Sequence, residues 1–418
     1  MEAFQINGGR PLSGTVRVMG AKNAILPLMA AALLTDEAIT LKNVSPLSDV
    51  KTLSALLTGM GAKIEQDGHT MTIRCHQMTS TTAPYEYVSK MRATFWVLGP
   101  LLGRFHQARV SLPGGCAIGA RPVDLYLKAI EAMGVSVRIE NGYVIAEGHL
   151  KPAEITFPKI SVGATHNTIM AAVLTPGTTI IHNPALEPEV MDLIALLQKM
   201  GADIRGVGTR TLTITGVPKL NGAEHTVVSD RIETATFAAA AGVTHGRILI
   251  EGGEISLMQA VADSMTACGL NFTQTDTGLW VDATEAKLRA TPVVTAEYPA
   301  FPTDAQPLLT TLLSLAEGES LVREQIYENR FMHVPELNRM GAHIQQIDNK
   351  TVLIHGVPTL SGATVTASDL RGGVALVLAG LAAQGQTIVQ RIYHIDRGYS
   401  RIEEKLTALG ADIIRFKQ

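Results

Sequence analysis

One cysteine sits in a run that an ordinary core segment would not carry, Leu112-Pro113-Gly114-Gly115-Cys116-Ala117-Ile118-Gly119-Ala120-Arg121-Pro122-Val123-Asp124. Glycine and proline on both sides of Cys116 predict a mobile, exposed loop. A free cysteine is usually a small buried hydrophobe, and that plainer reading is adopted for Cys75 and Cys268. The glycine-rich run offers little core in which to bury Cys116. A thiol close to a cation such as Arg121 loses its proton more readily and can act as an acid or nucleophile.

A second set of charged residues recurs where apolar helices are expected to begin. These are Gly20-Ala21-Lys22-Asn23, Lys90-Met91-Arg92, Ser161-Val162-Gly163, Asp230-Arg231, Pro302-Thr303-Asp304 and Asp369-Leu370-Arg371. Helix N-termini present unpaired N–H groups and a positive dipole end, which suits anionic ligands. Taken singly, Asp230, Asp304 and Asp369 read equally well as N-caps, and Lys22 or Arg92 as an ion-paired surface charge. Six equivalent helix ends that converge would favour binding and catalysis.

The elements that must position these residues form an internal repeat. A helical stretch ends in Met60-Gly61-Ala62, Met133-Gly134-Val135, Met200-Gly201-Ala202, Cys268-Gly269-Leu270, Met340-Gly341-Ala342 and Leu409-Gly410-Ala411, with glycines 73, 67, 68, 72 and 69 residues apart. Each unit runs in the same order. A small-residue apolar segment such as Ala24–Leu34, Ala164–Leu174 or Gly372–Ala383 predicts a helix buried on every side. A short run rich in Thr, Ile and Val follows as a strand. An amphipathic helix then ends at the glycine, where a C-cap needs a left-handed residue. Further strands come after it, at Met71–Arg74, Thr211–Thr215 and Thr351–Ile354. Units of about 70 residues are too long for a common solenoid. Two groups of three, helices inside and strands outside, are the economical packing, although one ring also satisfies the repeat.

Composition closes off several classes. A chain of 418 residues, 46% hydrophobic and 17% charged, implies a folded protein of two domains. Formal net charge is −3 and the pI is near 6.5, which argues against a general nucleic-acid binder. The apolar stretches 24–34 and 374–383 fall short of the roughly 20 residues of a membrane span. The N-terminus shows no secretory pattern. Three separated cysteines suggest neither disulfides nor a zinc site, and a cytoplasmic protein is expected. No P-loop, dinucleotide fingerprint or Gly-x-Ser-x-Gly elbow is present.

Five motifs together carry a resemblance. Gly20–Ala24, the Cys116 run through Asp124, Phe301-Pro302-Thr303-Asp304, Glu328-Asn329-Arg330-Phe331-Met332-His333 and Asp396-Arg397-Gly398-Tyr399 closely resemble the UDP-N-acetylglucosamine enolpyruvyl transferases, in the right order along the chain. The resemblance implies an α/β fold of two inside-out α/β barrel domains, each of three pseudo-symmetric βαβ-type repeats, with a cleft between them. One domain would span 22–229 and the other 1–21 plus 230–418. It implies transfer of the carboxyvinyl group of phosphoenolpyruvate to the 3′-hydroxyl of UDP-N-acetylglucosamine, with release of phosphate through a tetrahedral intermediate.

The same resemblance assigns roles. Lys22, Arg121 and Arg397 match phosphoenolpyruvate contacts, with Asn23, Arg92 and Arg371 at the same pocket. Cys116 matches the proton donor, which also forms covalent adducts and is the target of the epoxide fosfomycin. Asp304 matches the base. Arg121, Pro122, Val123, Asp124 and Leu125 match the uridine cradle, and Lys159, Ser161, Val162 and Gly163 the diphosphate contacts. Asn23, Arg92, Asp304 and Tyr327 match positions around the amino sugar. No cofactor or metal and no protein, nucleic-acid or membrane partner is implied beyond the two small-molecule substrates. Met19, Tyr126 and the stretch Ala164-Thr165-His166-Asn167 depart from the family pattern. The rivals are the related enzyme acting on shikimate 3-phosphate, a non-catalytic UDP-sugar-binding paralogue, and a relative of the RNA 3′-phosphate cyclases. The first would not carry the cysteine loop, and the last would need a triphosphate site and a basic track.

Overall fold

The computed structural model describes residues 2–89, 91–112 and 123–417. Lys90, the side chain of Arg92, and the run holding Cys116, Arg121 and Pro122 lie outside the described residues. The chain folds as two compact units. Residues 20–89, 91–112 and 123–228 make up the first, and residues 2–19 with 229–417 the second.

The six expected buried helices are present as Lys22–Ala31, Leu98–Phe105, Val162–Ala172, Arg231–Val243, Gln306–Leu313 and Leu370–Ala382, three in each unit. Every residue of Arg231–Val243 and of Gln306–Leu313 is buried. Small residues let these helices approach backbone to backbone: a Cβ on Gly99 would collide with the Asn167 carbonyl. The amphipathic helices end as expected, because Gly61, Gly134, Gly201, Gly269, Gly341 and Gly410 all have φ between +81° and +117°. An L-side chain there would be strained.

Around the helices lie six four-stranded sheets among the described residues, three per unit. Each has the same build, a parallel edge strand followed by three antiparallel ones. In the first unit Ala223–Thr226 runs parallel to Ala38–Lys42, which pairs antiparallel with Thr70–Arg74, and that strand with Lys63–Asp67. Strands such as Thr211–Thr215 alternate partly and fully buried positions, one face turned to the helices. Each unit has its own apolar core. The arrangement is inside-out α/β, with helices enclosed by sheets.

The sixth repeat is completed from the other end of the chain. Among the described residues the strand after Gly410 is Asp412–Lys417, and its partner is Glu2–Asn7, which also pairs with Gln386–Gln390. The following strand, Ser13–Arg17, joins the fourth repeat's sheet beside Arg247–Glu251. Gln386–Gln390 and Arg247–Glu251 thereby gain a second neighbour, and Asp412–Lys417 and Ser13–Arg17 are the edge strands of the two sheets. Among the described residues no helix is long and apolar enough to cross a membrane.

Candidate active site

In the second unit the charged residues gather around Asp304. A single 3-10 turn, Thr303–Ala305, leads into Gln306–Leu313. The Asp304 carboxylate meets two guanidinium groups. Its Oδ1 accepts from Arg330 Nη2 at 2.8 Å, and its Oδ2 from Arg371 Nε at 3.2 Å. Both arginines are buried, 2% and 3% exposed, whereas the Asp304 side chain is 26% exposed. Charge-assisted bonds of this kind hold a carboxylate in a defined orientation. The N-cap reading holds for the other two acids. Asp230 Oδ1 accepts from the Ile232 and Glu233 amides, and Asp369 Oδ1 from the Arg371 and Gly372 amides.

Glu324 organises the neighbouring loop from a fully buried position. Its Oε1 accepts from Thr295 Oγ1 and from the Ile326 and Tyr327 amides, and its Oε2 from Thr303 Oγ1 at 3.0 Å. Tyr327 is thereby tied to the turn that carries Asp304. Burial opposes the Arg371 charge, but Tyr399, Asp304 and Asp230 hold it above the ordinary guanidinium range. His333, buried beside Asp369 and Arg330, is pushed down to about 4 by desolvation and stays neutral at pH 7. Arg397 ends the 3-10 stretch Ile392–Arg397, partly exposed, and with burial it lowers the pKa of His394.

The first unit holds a second constellation. Lys22 opens the helix Lys22–Ala31, and its Nζ lies 2.8 Å from Asp49 Oδ2, with the two side chains 11% and 4% exposed. Asn23 beside it is half-buried. Ser161 caps Val162–Ala172 by accepting from the Ala164 amide at 3.2 Å. Gly163 packs against the Tyr126 hydroxyl so closely that a Cβ would overlap it, and the Tyr126 ring stands edge-on to Phe95. Val123 and Leu125 are largely covered, while Asp124 and Lys159 are exposed. The departures at 166 and 167 are core residues. His166 meets Trp96 edge-to-face at 5.2 Å and is pushed down to about 4 by burial; Asn167 Oδ1 accepts from the Gly99 amide at 2.8 Å. Met19 is held by its backbone, its amide to Glu233 and its carbonyl from the Asp230 amide.

Sequence reasoning assigned no role to Asp49, Glu324, Arg330, Tyr399 or Thr236. Arg330 and Tyr399 do lie inside motifs that carried the resemblance, whereas Asp49, Glu324 and Thr236 have no local signal. Two surface grooves of about 740 and 390 Å³ lie in the first unit and contain none of the expected site residues. Among the described residues no group of three or more His, Cys, Asp or Glu is placed to hold a metal ion.

The two described cysteines are inert by environment. Burial pushes the Cys75 thiol up to about 12 against the opposing charge of Arg104, and the Cys268 thiol up to about 11. Native protein treated with iodoacetamide at pH 8 is therefore expected to carry label on Cys116 alone, read by peptide mass mapping. Modification of Cys75 or Cys268 before unfolding contradicts this.

Comparison with known proteins bears on the family and the fold. A family profile described as EPSP synthase (3-phosphoshikimate 1-carboxyvinyltransferase) matches residues 6–406. A UDP-N-acetylglucosamine 1-carboxyvinyltransferase of Paramagnetospirillum magneticum is 50% identical, covering 100% of this chain and 99% of that relative. One from Dinoroseobacter shibae is 50% identical with full coverage of both. Among solved structures, the enolpyruvyl transferase NikO from Streptomyces tendae superposes with a TM-score of 0.88 at 26% identity, covering 100% of this chain and 99% of its own. An EPSP synthase from Acinetobacter baumannii shares the fold with a TM-score of 0.78 at 17% identity over the full length of both chains.

Proposed function

The chain belongs to the EPSP synthase family of enolpyruvyl transferases, and on that premise we propose that it moves the 1-carboxyvinyl group of phosphoenolpyruvate to the 3′-hydroxyl of UDP-N-acetylglucosamine. The reading is carried by identity of about one half, over the full length, to relatives named for that reaction. It makes the protein a transferase of peptidoglycan precursor synthesis, acting on two water-soluble small molecules in the cytoplasm.

The reaction has two balanced steps. In the addition, the sugar hydroxyl gives up its proton, its oxygen bonds to C2 of phosphoenolpyruvate, and C3 gains a proton to become a methyl group. In the elimination, the C2–O bond to phosphate breaks, C3 returns a proton, and the double bond re-forms. Asp304 is the acceptor for the hydroxyl proton, and Cys116 the donor to C3. Lys22, Arg121 and Arg397 hold the phosphate and carboxylate, and Asn23, Arg92 and Arg371 are further phosphoenolpyruvate contacts. A ligand with two anionic groups needs several fixed cations, and charge-assisted bonds are the strong ones. Residues 121–125 cradle the uridine. Lys159 and Ser161–Gly163 take the diphosphate at a helix N-terminus, where N–H groups and dipole favour it. Asn23, Arg92, Asp304 and Tyr327 surround the amino sugar.

The family profile's own description favours a second reading, with shikimate 3-phosphate as acceptor. Phosphate release from phosphoenolpyruvate separates the two. Release that needs UDP-N-acetylglucosamine, and is not seen with shikimate 3-phosphate, is the expected result. The reverse preference overturns the proposal, and release with neither acceptor leaves the paralogue that only binds UDP-sugars.

A further inference from the structure

We propose that Tyr399 and Thr236 are positioning residues for the base Asp304, acting through Arg371; the inference rests on the proposed role of Asp304. Arg371 is a planar fork with donors on more than one edge. Its Nε and Nη2 face Asp304 Oδ2 at 3.2 Å, while its Nη1 donates to the Tyr399 hydroxyl at 3.0 Å. The guanidinium carbon also lies 5.5 Å from the Tyr399 ring centroid. The tyrosine thus holds one edge of the guanidinium while another edge holds the carboxylate.

The hydrogen positions follow from chemistry. Arginine has only donors, so the Tyr399 oxygen accepts from it. Thr236 Oγ1 lies 2.8 Å from the Ile232 carbonyl, which only accepts, so the threonine proton points there. Tyr399 must then donate to Thr236 Oγ1, at 2.7 Å. The relay therefore has one orientation, from Arg371 through Tyr399 and Thr236 to the carbonyl of Ile232 on the helix Arg231–Val243. Tyr399 and Thr236 are each 1% exposed, so little water competes for these bonds. Burial also raises the Tyr399 pKa, against the opposing effect of Arg371, which keeps the phenol protonated.

Other charged groups among the described residues stand near this point. Arg330 takes Asp304 Oδ1, and its Nη1 lies 3.8 Å from Asp369, which caps the helix that begins with Leu370. Asp230 acts on both Arg371 and Tyr399. His333 is neutral, and Glu324 binds the neighbouring Thr303. The hydroxyl of Tyr399 is an uncharged acceptor for Arg371 Nη1. Without it, a buried Nη1 seeks another acceptor and draws the guanidinium away from Asp304.

The test is Tyr399→Phe in the full-length enzyme. Turnover is expected to fall about 10- to 100-fold, the loss that a misplacement near 1 Å can cause. KM for UDP-N-acetylglucosamine should stay within about twofold, and the acidic limb of the kcat profile should move to higher pH, because a cation recedes from the base. Thr236→Val should shift both readouts the same way by less, and Thr236→Ser should restore them. A purely structural role would lower the melting temperature and leave the limb in place. If Tyr399→Phe does not fold, the Thr236→Val and Thr236→Ser pair decides by the same readouts. An unshifted limb with turnover near wild type overturns the inference. Should Asp304→Asn stay active, the base assignment fails instead; an inactive Asp304→Asn beside an unperturbed Tyr399→Phe removes only the positioning role.

Discussion

Asp304→Asn is expected to lower turnover by about 100- to 10,000-fold, the usual contribution of a positioned acid or base, while UDP-sugar binding persists. An amide cannot take the hydroxyl proton. The structure adds a cost that an N-cap would not have. Asp304 balances two buried guanidinium groups, Arg330 and Arg371, through bonds of 2.8 and 3.2 Å. Hydrogen bonds to charged groups contribute about 1.5–3 kcal/mol each. Asparagine keeps one acceptor oxygen but turns an NH2 group toward the second arginine. A loss of about 1–3 kcal/mol in stability is therefore expected alongside the loss of turnover. Turnover and thermal unfolding measured on the same preparation separate the two effects. Wild-type turnover in the asparagine variant rules out the base role, whatever happens to stability.

Lys22→Ala should show the other large effect, because two consequences coincide. As a proposed phosphoenolpyruvate contact, Lys22 supplies a fixed cation, and turnover should drop by orders of magnitude. As the partner of Asp49, 2.8 Å away and 4% exposed, it also balances a buried carboxylate. Removing one member of a buried pair typically costs about 3–5 kcal/mol. Lys22→Arg keeps the charge and should recover much of the stability. It should not recover full activity, since a planar guanidinium does not reproduce an ammonium. The decisive variant is the double substitution Lys22→Met with Asp49→Leu. Replacing a buried ion pair with hydrophobes of similar volume is often neutral for stability, so this variant should fold and melt near wild type yet remain inactive. If it turns over substrate normally, Lys22 is a structural residue.

What the sequence determined by itself was whatever depends on local conformation or on pattern. Six glycines, each closing a helix, marked six repeats, because φ near +100° is a demand that a single residue type meets at low cost. Stretches such as 24–34 and 372–383, apolar all round, read as buried helices. The caps Asp230 and Asp369 were legible for the same reason, since a cap bonds to amides two and three residues ahead. The motifs carrying Lys22, Asp304 and Arg397 were legible as a pattern of residue types.

Only the tertiary structure decided the partners. Asp304 reads as a cap by its spacing, yet its carboxylate goes to Arg330 and Arg371, 26 and 67 residues away. Lys22 finds Asp49 on the next helix, and Tyr399 finds Thr236 across 163 residues. The N-terminal strand completes a sheet with residues 412–417, which no local pattern announces. The reason is common to all of them. Helix periodicity and turn geometry are set within a few residues of chain, whereas a buried charge is stable only beside the partner that packing brings to it.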